Sequence, residues 1–226
     1  MKTITKLRLS AAASTSVLLL AAATGTAAQS TLSPADLTQQ ENCGGLPATI
    51  VGTENNDTIQ GTNGADVIVA LGGNDTIHAR GGNDVVCADY GDRAGTKPGK
   101  DTVYAGSGND IVLGQEEADK LRGENGDDFL PGGDGNDDLD GGNGKDDVVG
   151  ETGNDYLSGS EGNDRLFGQE GKDKLRGGPG SDQLSGDEDD DDLDGGKGRN
   201  FNDGGEGTDR CVNPSAAPDA VNCERS

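Results

Sequence analysis

Aspartate recurs at every ninth position along most of the chain, in a short first series and a long second one. The second series runs from Asp101 to Asp209 and is interrupted once, by Asn200. Ca²⁺ prefers oxygen ligands and takes about six to eight of them, so carboxylates at a fixed spacing predict repeated calcium sites. The candidate ligands are Asp57, Asp66, Asp75, Asp84, Asp101, Asp110, Asp119, Asp128, Asp137, Asp146, Asp155, Asp164, Asp173, Asp182, Asp191 and Asp209.

Each aspartate lies in a nine-residue unit with the consensus G-G-x-G-x-D-x-U-x, where U is a large aliphatic residue. The unit is complete at 132–140, 141–149 and 177–185. Glycine adopts positive φ readily, so the first half of the unit predicts a tight turn with carbonyl groups pointing inward. The last three residues are long enough for a short strand with one side chain directed into a core.

One turn and one strand make half a coil, so two units predict an 18-residue turn of a flattened solenoid. Loops that are two units apart then stack on the same edge and can share an ion. In this geometry Asp137 and Asp155 belong to one edge, and Asp146 and Asp164 belong to the other.

The composition excludes several other classes of protein. Only 30% of the 226 residues are hydrophobic, 3% are aromatic and none is Trp, which is too little for a compact core of ordinary size. The formal net charge is −24, and removal of the first 28 residues, with three cations and no acid, makes it −27. Such a charge disfavours nucleic acid and anionic membranes as partners and favours multivalent cations.

The chain divides into six segments. Residues 1–28 have the basic start, short apolar stretch and small residues of a secretory signal peptide, and the apolar stretch is short for a membrane anchor. Residues 29–49 form an N-terminal lead-in, 50–86 a first repeat array and 87–100 an irregular connection. Residues 101–212 form the main array and 213–226 a C-terminal tail. The sequence leaves open whether one solenoid continues across the connection.

Four cysteines in an exported chain indicate disulfides, for which three pairings are possible. Cys43 and Cys87 flank the first array, and Cys211 and Cys223 flank the end of the second. We expect Cys43–Cys87 and Cys211–Cys223, since such bonds would hold the two solenoid ends together. The cysteine spacing and the single histidine, His78, do not favour a zinc site.

Residues 50–86 and 101–212 resemble the hemolysin-type, or repeats-in-toxin (RTX), calcium-binding repeats. The resemblance implies an all-β fold, a right-handed parallel β-roll, with several Ca²⁺ ions held by turn carbonyls and by the sixth-place aspartates given above. Many members of that family carry a protease, lipase or toxin domain ahead of the repeats. Here the repeats begin about 22 residues after the predicted signal peptide, so we expect no catalytic domain.

The sequence thus predicts a secreted, non-enzymatic calcium-binding β-roll that folds when it binds calcium. Its fifteen aliphatic residues at the U places offer too little apolar burial to order so many glycine-rich loops unaided. The alternative function is an adhesion, matrix or cell-surface structural component that uses the loaded roll as a binding surface. We expect calcium ions as partners, no nucleic acid and no membrane insertion after signal cleavage, and an unknown surface or matrix ligand under the alternative.

Overall fold

A computed structural model describes residues 2–4, 42–89, 97–212 and 220–223, which form 25 strands numbered in chain order and no helix. The first of two large sheets contains β1 (Lys2–Ile4), β5 (Asp57–Gln60), β7 (Thr76–Gly81), β9 (Thr102–Ser107), β12 (Lys120–Asn125), β14 (Asp138–Gly144), β16 (Tyr156–Gly162), β18 (Lys174–Arg176), β19 (Pro179–Gly180), β21 (Asp192–Asp194), β22 (Lys197–Gly198) and β24 (Arg210–Val212). The second contains β4 (Ile50–Thr53), β6 (Val67–Leu71), β8 (Val85–Cys87), β10 (Ile111–Leu113), β11 (Gln115–Glu116), β13 (Phe129–Asp134), β15 (Asp147–Thr152), β17 (Arg165–Glu170), β20 (Gln183–Glu188), β23 (Phe201–Glu206) and β25 (Ala220–Val221). A separate antiparallel pair is formed by β2 (Asn42–Cys43) and β3 (Leu46–Pro47).

Successive nine-residue units alternate between the two large sheets, in which every pairing is parallel. The register advances by 18 residues from one strand to its neighbour, as in Lys120 with Asp138 and Leu121 with Leu139. Each coil therefore contains two units, and the described repeats make about nine coils. The predicted parallel β-roll is confirmed.

The core is a single file of aliphatic side chains between the sheets. The eighth-place residue of each unit is buried, and side chains from the two sheets alternate along the roll axis. Most of this core consists of Ile59, Ile68, Ile77, Val86, Val103, Val112, Leu121, Leu130, Leu139, Val148, Leu157, Leu166, Leu175, Leu184 and Leu193. One side chain for every nine residues is a thin core, so other interactions must hold the loops in place.

The two repeat arrays form one continuous roll. Strand β7 pairs with β9 and strand β8 pairs with β10, although 26 residues rather than 18 separate the partners. Asp84 and Asp101 thus belong to successive half-coils, and eight additional residues enlarge the loop between them. Residues 90–96 of this loop lie outside the described part of the chain.

Both expected disulfides are present. Cys43 and Cys87 join the β2–β3 hairpin to the second sheet, where Cys43 packs with Val69 and Leu71 on the outer face. Cys211 and Cys223 join β24 to the residues that follow β25. Strand β25 pairs with β23 and so extends the second sheet. Each end of the roll therefore has a covalent link.

At the N-terminus, Lys2–Ile4 pairs in parallel with β5, opposite residues 57 to 59. These three residues lie inside the predicted signal peptide. The apolar stretch of that signal, residues 11–23, lies outside the described residues. No helix that could cross a membrane occurs in the part of the chain that the structure describes.

Candidate metal sites

The sixth-place aspartates form two rows, one along each edge of the roll. Every one is buried, with at most 7% of its surface exposed. The first row, in order, is Asp57, Asp75, Asp101, Asp119, Asp137, Asp155, Asp173, Asp191 and Asp209. The second row is Asp66, Asp84, Asp110, Asp128, Asp146, Asp164 and Asp182, and Asn200 follows it. The structure therefore stacks loops two units apart, as the 18-residue spacing predicts.

One carboxylate oxygen of each aspartate is used by the backbone. The N–H of Asp119 donates to Oδ1 of Asp137 at 2.8 Å, and the N–H of Asp137 donates to Oδ1 of Asp155 at the same distance. The enlarged loop does not interrupt the ladder, because the N–H of Asp75 donates to Oδ1 of Asp101 at 2.7 Å. From Asp75 and Asp84 onwards, the ladder fixes the orientation of each carboxylate and leaves its second oxygen for another ligand.

The second oxygen is buried and has no hydrogen-bond partner in fourteen of the sixteen aspartates. A buried acceptor without a partner costs about 1–3 kcal/mol, and more when it is charged, so such a group in a native fold requires an explanation. These Oδ2 atoms belong to Asp75, Asp84, Asp101, Asp110, Asp119, Asp128, Asp137, Asp146, Asp155, Asp164, Asp173, Asp182, Asp191 and Asp209.

Asp57 and Asp66, the first aspartate of each row, differ from the others. Oδ2 of Asp57 accepts hydrogen bonds from the backbone N–H of Thr53 at 2.7 Å and from its hydroxyl at 2.8 Å. Oδ2 of Asp66 accepts one from the backbone N–H of Thr62 at 2.6 Å. Both carboxylates are therefore satisfied by the protein itself.

In the ten units that begin with glycine, from that of Asp119 onwards, the unpartnered oxygen points at this glycine, whereas the units of Asp75, Asp84 and Asp110 begin with alanine. A Cβ atom on Gly132 would lie 2.2 Å from Oδ2 of Asp137 and 3.0 Å from the carbonyl oxygen of Gly150, one coil further on. A Cβ atom on Gly123 would lie 2.4 Å from both Oδ2 of Asp128 and a carbonyl oxygen of the next coil. The missing side chain thus leaves a cradle on which a carboxylate oxygen and a carbonyl oxygen converge.

This donor set suits a hard cation. Carboxylate and backbone carbonyl oxygens are the usual ligands of Ca²⁺. Across the described residues, no three His, Cys, Asp or Glu side chains converge as a metal site. A cation in the cradle would therefore take one carboxylate from each loop and its other protein ligands from the backbone.

Burial without a counter-charge raises the pKa of the row carboxyls from Asp75 to Asp191. Desolvation is the largest cause throughout, and aspartates of the same row add to it at Asp75, Asp84, Asp119, Asp128, Asp155, Asp164 and Asp191. The pKa of Asp119 rises to about 9, that of Asp75 to about 8 and that of Asp137 to about 6. The hydrogen bond from the preceding coil acts in the opposite direction and is outweighed. Without a cation, the folded roll therefore favours protonated carboxyls.

Two loops of the main array lack the fourth-place glycine, yet their aspartates keep their places in the rows. Glu117 and Asp189 occupy that place with φ of 69° and 73°, in the left-handed region that glycine normally fills. The cost is about 1–2 kcal/mol at each position. Oδ2 of Asp119 and Oδ2 of Asp191 still lie against the first glycine of their units. The loss of the glycine does not remove these two aspartates from the rows.

Several features of the loops were not predicted from the sequence. The fifth-place residue, often Asn, forms its own ladder, in which the N–H of Lys172 donates to Oδ1 of Asn154 at 3.0 Å and that of Asn154 to Oδ1 of Asn136 at 2.7 Å. The recurrent Asn-Asp pairs of the sequence contain this signal.

In the enlarged loop, Asp89 is buried and both of its carboxylate oxygens accept from the N–H of Gly99, at 3.2 and 3.3 Å. Burial and then the charge of Asp101 raise the pKa of Asp89 to about 8.

At the C-terminal end, a Cβ atom on Gly204 would lie 2.2 Å from the carbonyl oxygen of Asn222 and 2.5 Å from Oδ2 of Asp209. The tail thus supplies the carbonyl that the next coil supplies elsewhere. Neither Asp89 nor Asn222 belongs to a repeat unit, so the nine-residue period did not predict their contacts.

Fold and site together define a calcium-binding parallel β-roll. A family model for the RTX calcium-binding nonapeptide repeat, spanning four copies of the unit, matches residues 51–86, 96–121, 113–148, 140–175, 149–184, 167–202 and 176–211. These matches cover more than half of the chain, which therefore belongs to the RTX calcium-binding repeat family. A search of curated proteins finds no match.

Proposed function

We propose that this chain is a secreted protein that binds several Ca²⁺ ions between stacked loops and folds as it binds them. The proposal rests mainly on the fourteen buried Oδ2 atoms that have no hydrogen-bond partner. A cation between neighbouring loops of a row would give each of these oxygens its missing partner. The proposed ligands are the fourteen aspartates of the two rows whose Oδ2 lacks a partner, from Asp75 and Asp84 onwards, together with turn carbonyls such as that of Gly150.

Coupling of folding to binding follows from the charge and the thin core. Each row stacks carboxylates that lose hydration on folding, and the chain without residues 1–28 would carry a net charge of −27. Each Ca²⁺ would remove two of these charges where repulsion is greatest and would connect two loops. Because the loops have little other apolar support, the free energy of binding becomes free energy of folding.

Secretion is supported by the N-terminal residues and by the cysteines. Residues 1–28 have the features of a signal peptide, and all four cysteines are paired in disulfides, which persist in oxidising compartments. Extracellular calcium-binding modules work at dissociation constants of about 10⁻⁴–10⁻³ M. The chain would thus remain unfolded at the low calcium of the cytoplasm and would fold after export.

Isothermal titration calorimetry of the chain without residues 1–28 tests the proposed binding. We expect several Ca²⁺ ions per chain and much weaker binding of Mg²⁺, because Mg²⁺ demands near-ideal octahedral geometry and gives up its water reluctantly. Absence of calcium heat at millimolar concentration would disprove the proposed function.

We further propose that the chain is not an enzyme. The matched family is a structural calcium-binding repeat, and the buried acidic groups are accounted for by the rows and by Asp89. A screen of the purified, calcium-loaded protein for protease, lipase and glycosidase activity tests this proposal, and turnover that survives further purification would disprove it.

A surface feature favours binding to a matrix or cell-surface ligand as a second candidate function. Ile111 and Phe129 are neighbours on the outer face of the second sheet and are 40% and 41% exposed. Charged and polar groups of Asn109, Lys145 and Arg165 surround them in a shallow hollow. An exposed aromatic ring with polar groups around it can stack on a sugar ring.

Pull-down with insoluble polysaccharides and cell-wall preparations in millimolar calcium tests this second candidate. Phe129→Ala should reduce retention. Tyr156→Ala is the matched control, because Tyr156 occupies the same place of its unit, is 43% exposed and lies on the opposite sheet. Equal retention of the wild type and both variants would show that Phe129 does not bind the polysaccharide.

A further inference from the structure

Three of the four loops at the ends of the rows, those of Asp57, Asp66 and Asn200, are closed by hydrogen bonds that the central loops lack. At the N-terminal end, Thr53 and Thr62 donate to Oδ2 of Asp57 and of Asp66, the atom that is unpartnered in the other aspartates. A Cβ atom on Gly52 would approach the carbonyl oxygen of Ala70 at 2.4 Å, with no Asp57 oxygen among its nearest atoms. The carboxylate of Asp57 thus turns away from the cradle and towards Thr53.

Asn200 closes the C-terminal end of the second row in a complementary way. Its Oδ1 accepts from the backbone N–H of Asp182 at 2.9 Å, so it takes the same place in the ladder as an aspartate Oδ1. Its Nδ2 donates to the carbonyl oxygen of Gly195 at 2.5 Å and to that of Gly196 at 3.3 Å. In the central loops the corresponding carboxylate oxygen faces a carbonyl oxygen, and two acceptors cannot bond without a cation.

The replacement extends to the core position of the same unit. Asn202 stands where the other units have an aliphatic residue, and its Nδ2 donates to the carbonyl oxygen of Val212 at 3.1 Å. The Cys211–Cys223 disulfide lies next to this bond. Side-chain amides and a covalent link therefore hold the last coil in place of an apolar contact.

We propose that the loops of Asp57, Asp66 and Asn200 do not bind calcium and form calcium-independent caps at the two ends of the roll. The calcium row on one edge then begins at Asp75 and includes Asp209, and the row on the other edge begins at Asp84 and ends at Asp182. Asn200 is the residue that excludes the cation from its loop, since a carboxamide N–H₂ is a donor and cannot coordinate a metal ion. This inference rests on the proposed calcium binding and adds which loops of the two rows do not bind calcium.

Asn200→Asp is the decisive variant. The new carboxylate would face the carbonyl oxygen of Gly195 with no donor between them, as in the central loops. Calorimetry should show a higher calcium stoichiometry than in the wild type. Asp182→Asn, one coil earlier on the same edge, makes the reverse change and should lower the stoichiometry. Asp57→Asn should leave it unchanged, because the Thr53 donors already satisfy that position.

Hydrogen exchange of the wild-type chain, with its disulfides intact, tests the proposed caps without any substitution. Chelation should reduce amide protection less in residues 195–203, the Asn200 unit, than in the central coils of residues 132–175. Uniform loss of protection, or an unchanged stoichiometry in Asn200→Asp folded at saturating calcium, would overturn the caps. A wild type that binds no calcium would instead overturn the proposed function itself.

Discussion

The backbone N–H of Asp137 donates to Oδ1 of Asp155 at 2.8 Å, and Oδ2 of Asp155 remains buried without a partner. The same carboxylate thus joins two coils through one oxygen and leaves the other oxygen for a cation. Repetition of this relationship along both edges gives two rows of oxygens that, under the proposed function, would hold two rows of ions. The same repetition makes the calcium-free roll electrostatically unfavourable.

Removal of one carboxylate should affect its own edge of the roll. In Asp155→Ala we expect the sites shared with Asp137 and with Asp173 to lose about tenfold or more in calcium affinity. The N–H of Asp137 donates to Oδ1 of Asp155, and Oδ2 of Asp155 converges at Gly150 with the carbonyl oxygen of Gly168 in the Asp173 unit. Sites on the opposite edge should change less. Calorimetry is the measurement, and Asp134→Ala, an exposed acid of a nearby loop, is the control for net charge. Identical affinity and stoichiometry in Asp155→Ala and wild type would show that loops two units apart do not share ions.

In a unit that begins with glycine and is packed around it, a methyl group at that place should displace the carboxylate and weaken calcium binding. In Gly132→Ala the new Cβ would approach Oδ2 of Asp137 to 2.2 Å, so the carboxylate must move and calcium affinity at this loop should fall. Gly64→Ala is the matched control, because the nearest atom to its Cβ is the Thr62 hydroxyl at 4.0 Å. Thermal unfolding at fixed calcium should show a lower midpoint for Gly132→Ala only. Equal midpoints for the two variants would contradict the cradle.

The calcium-free chain should become more ordered as the pH falls. The folded pKa values of Asp137, Asp155 and Asp119, about 6, 7 and 9, lie above the ordinary value of 3.8, because burial disfavours the charged form. The folded state then binds more protons than the unfolded state between these values. The stabilisation is complete below about pH 4 and is lost as the pH rises through about 6 to 9.

Circular dichroism in chelator should therefore show more β-structure at pH 5 than at pH 8. In the presence of calcium the order reverses, since protons compete with the metal for the same oxygens and apparent affinity rises with pH. A calcium-free spectrum that gains β-structure on going from pH 5 to pH 8 would contradict the assignment of the buried carboxyls.

The two disulfides should contribute unequally to stability. Cys43 and Cys87 are separated by 44 residues, whereas Cys211 and Cys223 are separated by 12. Loop-closure entropy predicts about 4 kcal/mol for the longer loop and about 3 kcal/mol for the shorter one. Denaturant unfolding at saturating calcium should show a larger loss for Cys43→Ser/Cys87→Ser than for Cys211→Ser/Cys223→Ser. The opposite ranking would mean that chain entropy does not dominate at these links.

The repeat made most of the fold predictable. Period nine, the aliphatic at the eighth place and glycine at the turn places predict the two sheets, the single-file core and the stacking of Asp137 with Asp155, because each follows from local geometry repeated along the chain. The disulfide partners followed from their places at the ends of the arrays.

Other features depend on contacts between coils that a single unit does not encode. The hydrogen bond from Thr53 to Asp57 and the amide of Asn200 over Gly195 arise where a row begins or ends. The place of Asp89 depends on an inserted loop with no repeat. The continuity of the roll across that loop was undecided in the sequence, because a 17-residue spacing fits neither one unit nor two.

Far-ultraviolet circular dichroism of the chain without residues 1–28, first in chelator and then in millimolar CaCl₂ at neutral pH, tests whether calcium binding drives folding. We expect a largely disordered spectrum in chelator that changes to a β spectrum on addition of calcium and reverts when chelator is restored. A full β spectrum already present in chelator, and unchanged by calcium, would contradict this expectation.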